Sequence, residues 1–234
     1  METDLQGEEP RSETPSLVAS PWHLVLVLAV ISALAFRGKL QADHMQTAAN
    51  LDRIALYERI ILFEWLTLGL VLAGVWLRGS SLRTVVGDRW RSVRQFLRSV
   101  GIGLLFLVVS IVVTSVLGSH GGAGDKATRF LLPQGGVETA LWIVIAITAG
   151  ICEEAIYRGY LQTQFIALTK SVPSGIVLSA LVFGLTHSYQ GLARASLISL
   201  TGAMAGILAY WCRSVRPGMI AHGLQDVLGA FVRH

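Results

Sequence analysis

The chain contains 234 residues, of which 53% are hydrophobic and 15% are charged. Soluble domains carry about 25% charged residues, and disordered chains combine low hydrophobicity with high charge, so the composition excludes both classes. The net charge of +4 does not indicate a nucleic-acid partner, because the basic residues gather in one short loop rather than along a helix or patch. The chain is therefore expected to place most of its surface in a lipid bilayer.

The N-terminal tail, residues 1–20, is acidic and contains two prolines, which predicts a disordered segment. The first apolar run follows at residues 22–36 without the preceding basic stretch of a secretory signal, so we expect a retained span. Its length of 15 residues is below the roughly 20 that a crossing helix needs. The helix is therefore expected to extend into its flanks.

The second apolar run, residues 54–77, carries three ionisable residues in its first half, Glu58, Arg59 and Glu64. Ionisable groups inside a span are costly unless they are paired or face protein or water. Glu58 and Arg59 are expected at the membrane interface, whereas Glu64 is expected to face other helices.

Six arginines surround the connection that follows, residues 78–98, which we name the arginine loop. Short cytoplasmic loops carry an excess of lysine and arginine, so the arginine loop is predicted to be cytoplasmic. The N-terminus, two spans earlier, is then cytoplasmic too. Lys170 and the basic link at residues 213–217 fall on the same side when the later spans are counted.

Five further apolar segments complete the predicted architecture, an all-α, polytopic membrane helical bundle with about seven transmembrane helices. They are residues 100–117, 137–168, 174–187, 192–212 and 219–232. The 137–168 segment is too long for one simple crossing, and both one tilted helix and two separate pieces remain open. Gly202 and Gly206 have GxxxG spacing, which predicts close packing between helices.

Two adjacent carboxylates, Glu153 and Glu154, lie deep in an apolar run, with Arg158 four residues after the second. Residues four apart share a helix face, so Glu154 and Arg158 are expected to form an ion pair that lowers the cost of burying both. Glu153 points about 100° away from that pair. It therefore either carries a proton or has a partner outside this helix, and such an intramembrane carboxylate is by default a candidate functional group.

Two histidines lie on later helices, each four residues from another notable side chain. Phe183 and His187 belong to FGLTH, and His222 and Asp226 belong to HGLQD. The Asp226 carboxylate can orient the His222 imidazole, or both can bind one metal ion or one polarised oxygen. Together with the glutamates, these groups supply what hydrolysis needs: a base for water, a second group for the proton, and stabilisation of an oxyanion by donors or by a metal.

Two common hydrolase motifs are absent from the sequence. It contains no HExxH, which excludes the familiar zinc-protease helix. It contains no GxSxG either, which excludes the usual nucleophile elbow of serine hydrolases.

The series EEAIYR, FGLTH and HGLQD resembles, in order and rough spacing, the EExxxR, FxxxH and HxxxN/D motifs of the CPBP intramembrane protease family. That family includes the type II CAAX prenyl endopeptidases and the bacterial Abi and bacteriocin-processing proteins. The resemblance spans about residues 137–232. It implies catalytic membrane helices at 137–234, preceded by N-terminal membrane helices and loops at 21–136, and polar groups that meet in a cavity within the bilayer.

The resemblance also implies a role for each matched residue. Glu153 would be the general base that activates water, and His187 would hold that water or act as an acid. Glu154 and Arg158 would orient the site. His222, with the residue at position 226, would bind the oxyanion.

Asp226 departs from the pattern, since the CAAX-processing enzymes usually carry Asn there. An ionised Asp cannot donate a hydrogen bond to an oxyanion, so Asp226 must be protonated, orient His222, or belong to a metal site. In the last case the cofactor would be Zn2+ or another divalent metal, held by Glu153, His187, His222 and Asp226. The family has been called both metalloprotease and metal-independent glutamate protease, so the resemblance leaves the metal open.

The predicted helix boundaries place the two histidines at different depths. At about 1.5 Å per residue, His187 lies about 20 Å from the cytoplasmic start of its helix, and His222 lies only about 7 Å from the start of the last helix. Both helices begin on the same side in the predicted topology. A shared site therefore requires tilt, a re-entrant connection or a different boundary.

The leading functional hypothesis is an intramembrane endopeptidase that cleaves near the C-terminus of a lipid-modified (CAAX-type) or membrane-associated protein. Its partners would be the lipid bilayer and a protein or peptide substrate, prenylated or not. The alternative is a non-proteolytic membrane protein, either a proton-coupled transporter with a Glu153, His187 and His222 relay or a bacteriocin-immunity protein. The expected location is integral and multi-pass, in the plasma membrane if the source is bacterial.

Overall fold

The computed structural model describes residues 16–45, 51–118 and 129–232, and these ranges form a helical bundle without a β-strand. The predicted all-α membrane bundle is confirmed. Eight α-helices follow one another in the described ranges: α1 (Pro21–Met45), α2 (Arg53–Leu77), α3 (Arg83–Val86), α4 (Val93–Gly118), α5 (Gly136–Thr169), α6 (Val172–Thr186), α7 (Leu192–Cys212) and α8 (Arg216–Val232).

Seven of these helices, all but the short α3, coincide with the seven predicted spans. Among the described residues, five helices are long and apolar enough to cross a membrane: α1 over Pro21–Ala42, α2, α4, α5 and α7. Helix α6 is apolar but has 15 residues, and α8 has 17. Large apolar side chains cover much of the outer surface, as at Trp22 and Leu105. Only a lipid environment accommodates such a surface, so the chain is an integral membrane protein.

The first helix is longer than its apolar run, as expected, and the chain before it is partly packed. Helix α1 extends from Pro21 to Met45. Residues 1–15 of the predicted disordered tail lie outside the described residues. Val18 and Ala19 are buried, and the Gln164 side chain accepts from the Val18 amide at 2.9 Å and donates to the Ala19 carbonyl at 3.1 Å. The last residues of the predicted tail therefore pack onto the bundle.

Helix α5 settles the open question about the long segment, because it is one continuous helix of 34 residues. Its central part, Glu154–Leu161, has π-helical hydrogen bonding, a form that occurs mostly as short insertions at functional sites. The helix ends at Lys170, which has a left-handed φ of 52°. Ser171 then caps α6 by accepting from the Ser174 amide, so the turn between α5 and α6 is tight.

The largest buried apolar cluster joins α1 and α2 to the π-helical part of α5, with Val71 and Tyr160 fully buried. His23 of α1 adds polar contacts to this cluster, since its Nδ1 lies 2.7 Å from the Tyr160 hydroxyl and its Nε2 lies 3.0 Å from the Leu70 carbonyl oxygen. Helix α5 also packs against α6 and α8. The centre of α5 is therefore held between the N-terminal helices and the last part of the chain.

The start of α8 lies deeper in the bundle than the start of α6. Helix α3 of the arginine loop packs on the π-helical part of α5, where a Cβ added at Gly159 would overlap the Val85 carbonyl oxygen. The chain just before α8 is attached to the same loop, because the Val215 amide donates to the Val86 carbonyl at 3.4 Å. Helix α8 therefore begins level with Gly159, about 15 Å along α5 from Thr169, whereas α6 begins beside Thr169.

The GxxxG pair on α7 packs closely against α5 and α6, as predicted. A Cβ added at Gly202 would lie 3.0 Å from the Phe183 ring, and one at Gly206 would press on the Gln162 side chain. The Gly206 carbonyl also accepts from the Gln162 side-chain amide at 3.0 Å. The missing side chains let α7 approach its neighbours.

Candidate active site

Glu154 and Arg158 form the ion pair that their spacing predicts, on the π-helical part of α5. Arg158 Nη1 lies 3.2 Å from Glu154 Oε1, and both side chains are at most 3% exposed. The Arg158 guanidinium also lies over the Phe183 ring of α6, 4.1 Å from its centroid. Both side chains are almost fully buried, and both border the cavity described below.

Glu153 has its partners on other helices, the second of the two alternatives that its position left open. Its Oε2 lies 3.5 Å from His222 Nε2 of α8. The Glu64 carboxyl group of α2 borders the same space as Glu153. The Glu153 side chain is 13% exposed, compared with 2% for Glu154, so Glu153 is the more accessible of the two glutamates.

His222 lies among three carboxyl groups. Its Nδ1 is 3.2 Å from Glu154 Oε1, and its Nε2 is 3.5 Å from Glu153 Oε2 and 3.6 Å from Asp226 Oδ2. The Asp226 contact follows from i,i+4 spacing on α8, whereas both glutamate contacts cross from α8 to α5. The imidazole therefore links the enclosed ion pair to the two more accessible carboxylates.

His187 ends α6, and its ring orientation is set locally. Its Nδ1 lies 3.0 Å from the Phe183 carbonyl oxygen, which can only accept, so Nδ1 donates and Nε2 is the acceptor of the neutral ring. Phe183 and Tyr189 flank the ring, with centroids 4.9 Å and 6.2 Å away. Phe183 also contacts the His222 ring edge-on, with centroids 6.1 Å apart.

All six residues singled out in the sequence line one cavity of about 280 Å³. They are Glu153, Glu154, Arg158, His187, His222 and Asp226. Helices α5, α6 and α8 supply them, so residues that are up to 73 positions apart in the sequence share one space. We name this space the polar cavity.

The different starting levels of α6 and α8 along α5 explain how both histidines reach the polar cavity. His187 lies about 22 Å along α6 from Val172, and His222 lies about 9 Å along α8 from Arg216. The offset of about 15 Å between the starts of α8 and α6, measured along α5, compensates for that difference. The helix starts also differ from the predicted ones, since the two helices begin at Val172 and Arg216 rather than at residues 174 and 219.

Glu64 and Tyr189 line the polar cavity in addition to the six residues. The sequence already indicated Glu64 as a candidate site residue, because it is an intramembrane carboxylate without a partner on its own helix. In the structure Glu64 lies beside Glu153, so it contacts another helix as expected. No sequence pattern pointed to Tyr189 as a site residue. Its position in the short turn after α6 depends on how that turn packs against neighbouring helices.

The described side chains are not arranged as a metal-binding group. No set of three or more His, Cys, Asp or Glu side chains among them has the geometry to hold an ion. The two ring nitrogens of His222 both face carboxyl groups of the protein, an arrangement of hydrogen-bonding partners rather than of joint ligands. We therefore derive no chemical step through Zn2+ or another metal.

Comparison with known proteins identifies a family match in the second half of the chain. Residues 135–228 match the family model described as Rce1-like, type II CAAX prenyl endopeptidase Rce1-like. No curated protein and no solved structure matches the chain. The matched residues include α5 to α7 and most of α8, and with them all six predicted site residues, whereas α1 to α4 lie outside the match.

Proposed function

We propose that this chain, which carries an Rce1-like domain of the CAAX-type intramembrane protease family at residues 135–228, is an endopeptidase that hydrolyses a peptide bond with activated water. The substrate would be a lipid-modified (CAAX-type) or membrane-associated protein, cut near its C-terminus. The observation that carries the proposal is the polar cavity, where two glutamates, an arginine, two histidines and an aspartate meet inside a membrane bundle.

Glu153 is the proposed general base. It is the accessible member of the glutamate pair, and a carboxylate in a water-poor cavity can take a proton from a bound water as that water attacks the carbonyl carbon. His187 would hold the same water, because the hydrogen bond from its Nδ1 to Phe183 leaves Nε2 as an acceptor. The proton that Glu153 takes from the water would then pass, directly or through His187 Nε2, to the nitrogen of the leaving amine as the C–N bond breaks.

His222 is the proposed oxyanion donor. Its Nδ1 faces Glu154, and in the imidazolium form its Nε2–H, which faces Glu153 and Asp226 at 3.5 and 3.6 Å, would turn to the developing oxyanion when the substrate binds. Glu154 and Arg158 would act as positioning residues, because the ion pair fixes the carboxylate that holds the ring. Asp226, at 3.6 Å from Nε2, would orient His222.

The arrangement of charges favours a hydrolase over a proton relay. A relay needs titratable groups spaced along a path through the membrane. Here Glu153, Glu154 and Asp226 lie within 3.6 Å of one imidazole. We also propose that the arginine loop and the N-terminus face the cytoplasm, on the charge argument alone.

The test is cleavage of quenched peptides with free C-termini, prenylated and unprenylated, by the purified full-length protein in detergent. We expect Glu153→Gln and His187→Gln each to lower kcat/KM about 100-fold or more. Glu58→Gln is the matched control, because it removes a glutamate from an exposed position on α2. Equal rates for wild type and both site variants would refute the mechanism.

Metal dependence is measured in the same assay. Activity is measured before and after chelation, and the metal content of the protein is determined in parallel. These measurements distinguish catalysis by protein groups alone from catalysis that requires a divalent metal. Unchanged activity after chelation supports catalysis by protein groups alone. Loss of activity that is restored by one divalent metal would return Asp226 and the histidines to the role of ligands.

A further inference from the structure

A second cavity of about 300 Å³ adjoins the polar cavity and is lined mainly by α1 and α2. We name it the α1–α2 cavity. Its walls are largely apolar, with residues such as Ile31, Ala35 and Phe63. The two cavities share Glu64, Glu153, His187 and Tyr189 in their linings, so a substrate that reacts at Glu153 has room to extend into the α1–α2 cavity.

Two arginines, Arg37 of α1 and Arg59 of α2, line the same cavity. Both arginines are exposed residues at the rim of the cavity, and the Arg37 guanidinium lies 5.6 Å from the centre of the Phe63 ring. Neither arginine forms an ion pair with a carboxylate of the described residues. Arg37 lies in the second half of α1 and Arg59 lies in the first half of α2, so both are near the connection between these helices. The arginine loop follows the other end of α2 and is therefore remote from the cationic end of the cavity.

The spacing along α2 limits what can connect the two ends of this cavity. Arg59 precedes Glu64 by five residues, which is about 7.5 Å along the helix axis, and an arginine side chain extends the reach by a few ångströms more. An extended peptide advances about 3.3 Å per residue. If a peptide bond of the substrate lies at Glu153, an anionic group of the same substrate that contacts Arg59 would therefore be about two to four residues away along the peptide.

We propose that the α1–α2 cavity binds an apolar segment of the peptide substrate and that Arg37 and Arg59 bind a carboxylate two to four residues from the scissile bond. This assignment rests on the proposed peptidase function and adds its specificity determinants. The carboxylate can be a free C-terminus or an acidic side chain, because both offer the same pair of acceptor oxygens to a guanidinium.

The experiment uses one quenched apolar peptide in three forms: a free C-terminal acid, a C-terminal amide, and an amide with one Glu three residues beyond the scissile bond. For the wild-type protein we expect the two carboxylate forms that reach the arginines to have a KM about 10- to 100-fold below that of the plain amide, with a similar kcat. The form with the lower KM identifies the source of the carboxylate.

Arg37→Gln and Arg59→Gln are each expected to raise KM for the preferred carboxylate peptide and to leave KM for the plain amide unchanged. Lys39→Gln is the matched control, because Lys39 is exposed on α1 and does not line the cavity. Arg59→Lys keeps the charge and provides a second variant if Arg59→Gln does not purify as a monodisperse protein. It is expected to retain part of the preference.

The outcomes separate the specificity proposal from the peptidase proposal. Cleavage of all three wild-type substrates with equal KM would refute the arginine subsite and leave the peptidase function standing. An equal loss of activity on every peptide in the arginine variants would also refute it, since that pattern shows that the arginines act independently of the substrate carboxylate. Failure of the wild type to cleave any peptide would refute both proposals.

Discussion

The two cavities that meet at Glu153 and His187 are similar in volume, about 280 and 300 Å³, but differ in what lines them. The polar cavity is built mainly by α5 to α8, which lie largely within residues 135–228, the segment matched to the Rce1-like family. The α1–α2 cavity is apolar apart from a few groups, and most of its wall lies outside that segment. The proposed chemistry and the proposed substrate selection therefore reside in different parts of the chain.

The contrast also concerns how each cavity is stabilised. The polar cavity depends on interactions between charged groups, since Glu154, Arg158 and His222 hold one another in a buried chain of contacts. Such groups are costly to bury and are destabilising when one partner is removed. The α1–α2 cavity depends on apolar packing, so side-chain size there should alter substrate binding more than stability.

The largest expected effect comes from breaking the buried ion pair of the polar cavity. Arg158→Met leaves the Glu154 carboxylate without its cation, which should cost about 3–5 kcal/mol and lower the midpoint of thermal unfolding in detergent by about 10 °C. The control is Arg83→Met, because the Arg83–Asp88 contact is 4.0 Å and its side chains are 65% and 72% exposed. That control should shift the midpoint by no more than about 2 °C.

Replacing both members of the buried pair measures how much of the lost stability comes from the unpaired charge. The double variant Arg158→Met with Glu154→Met should recover part of the lost stability, because a buried pair can be exchanged for apolar side chains at little net cost. Its peptidase activity should remain low, since His222 loses the carboxylate that holds Nδ1. A double variant that is less stable than Arg158→Met alone would contradict this account of the pair.

An intermediate effect is expected from narrowing the α1–α2 cavity. Ala35→Phe adds an aromatic ring to its wall and should raise KM about tenfold for peptides with a bulky apolar residue. The same change should leave kcat and the unfolding midpoint nearly unaltered. Ala33→Phe provides the control, since Ala33 is exposed on α1 and does not line the cavity. Equal KM values for the two variants would remove the α1–α2 cavity from the substrate path.

The smallest effect is expected at Asp226. In Asp226→Asn the amide oxygen can still accept a hydrogen bond from His222, and the amide nitrogen gains the ability to donate to an oxyanion. Activity should therefore stay within about threefold of the wild type, as measured by kcat/KM on the best quenched peptide. A loss of about 100-fold or more, together with a loss of bound metal, would show that Asp226 acts through its charge as a ligand.

The candidate site could be predicted from the sequence to the extent that its contacts are local. The Glu154–Arg158 pair and the His222–Asp226 contact both follow from i,i+4 spacing on one helix, and both occur in the structure. The partners of Glu153 could not be predicted in this way. They lie on α2 and α8, and helical periodicity carries no information about which helices pack together.

The sequence by itself determined a helical membrane protein, its seven helical segments and the polar residues that meet in one cavity, because apolar runs and scarce charges are local signals. Only the tertiary structure decided the depth at which those residues meet. The contact of Val85 with Gly159 sets the start of α8 deep in the bundle and brings His222 level with His187. Close approach between two segments that are 74 residues apart depends on backbone shape and packing, which a local sequence pattern does not reveal.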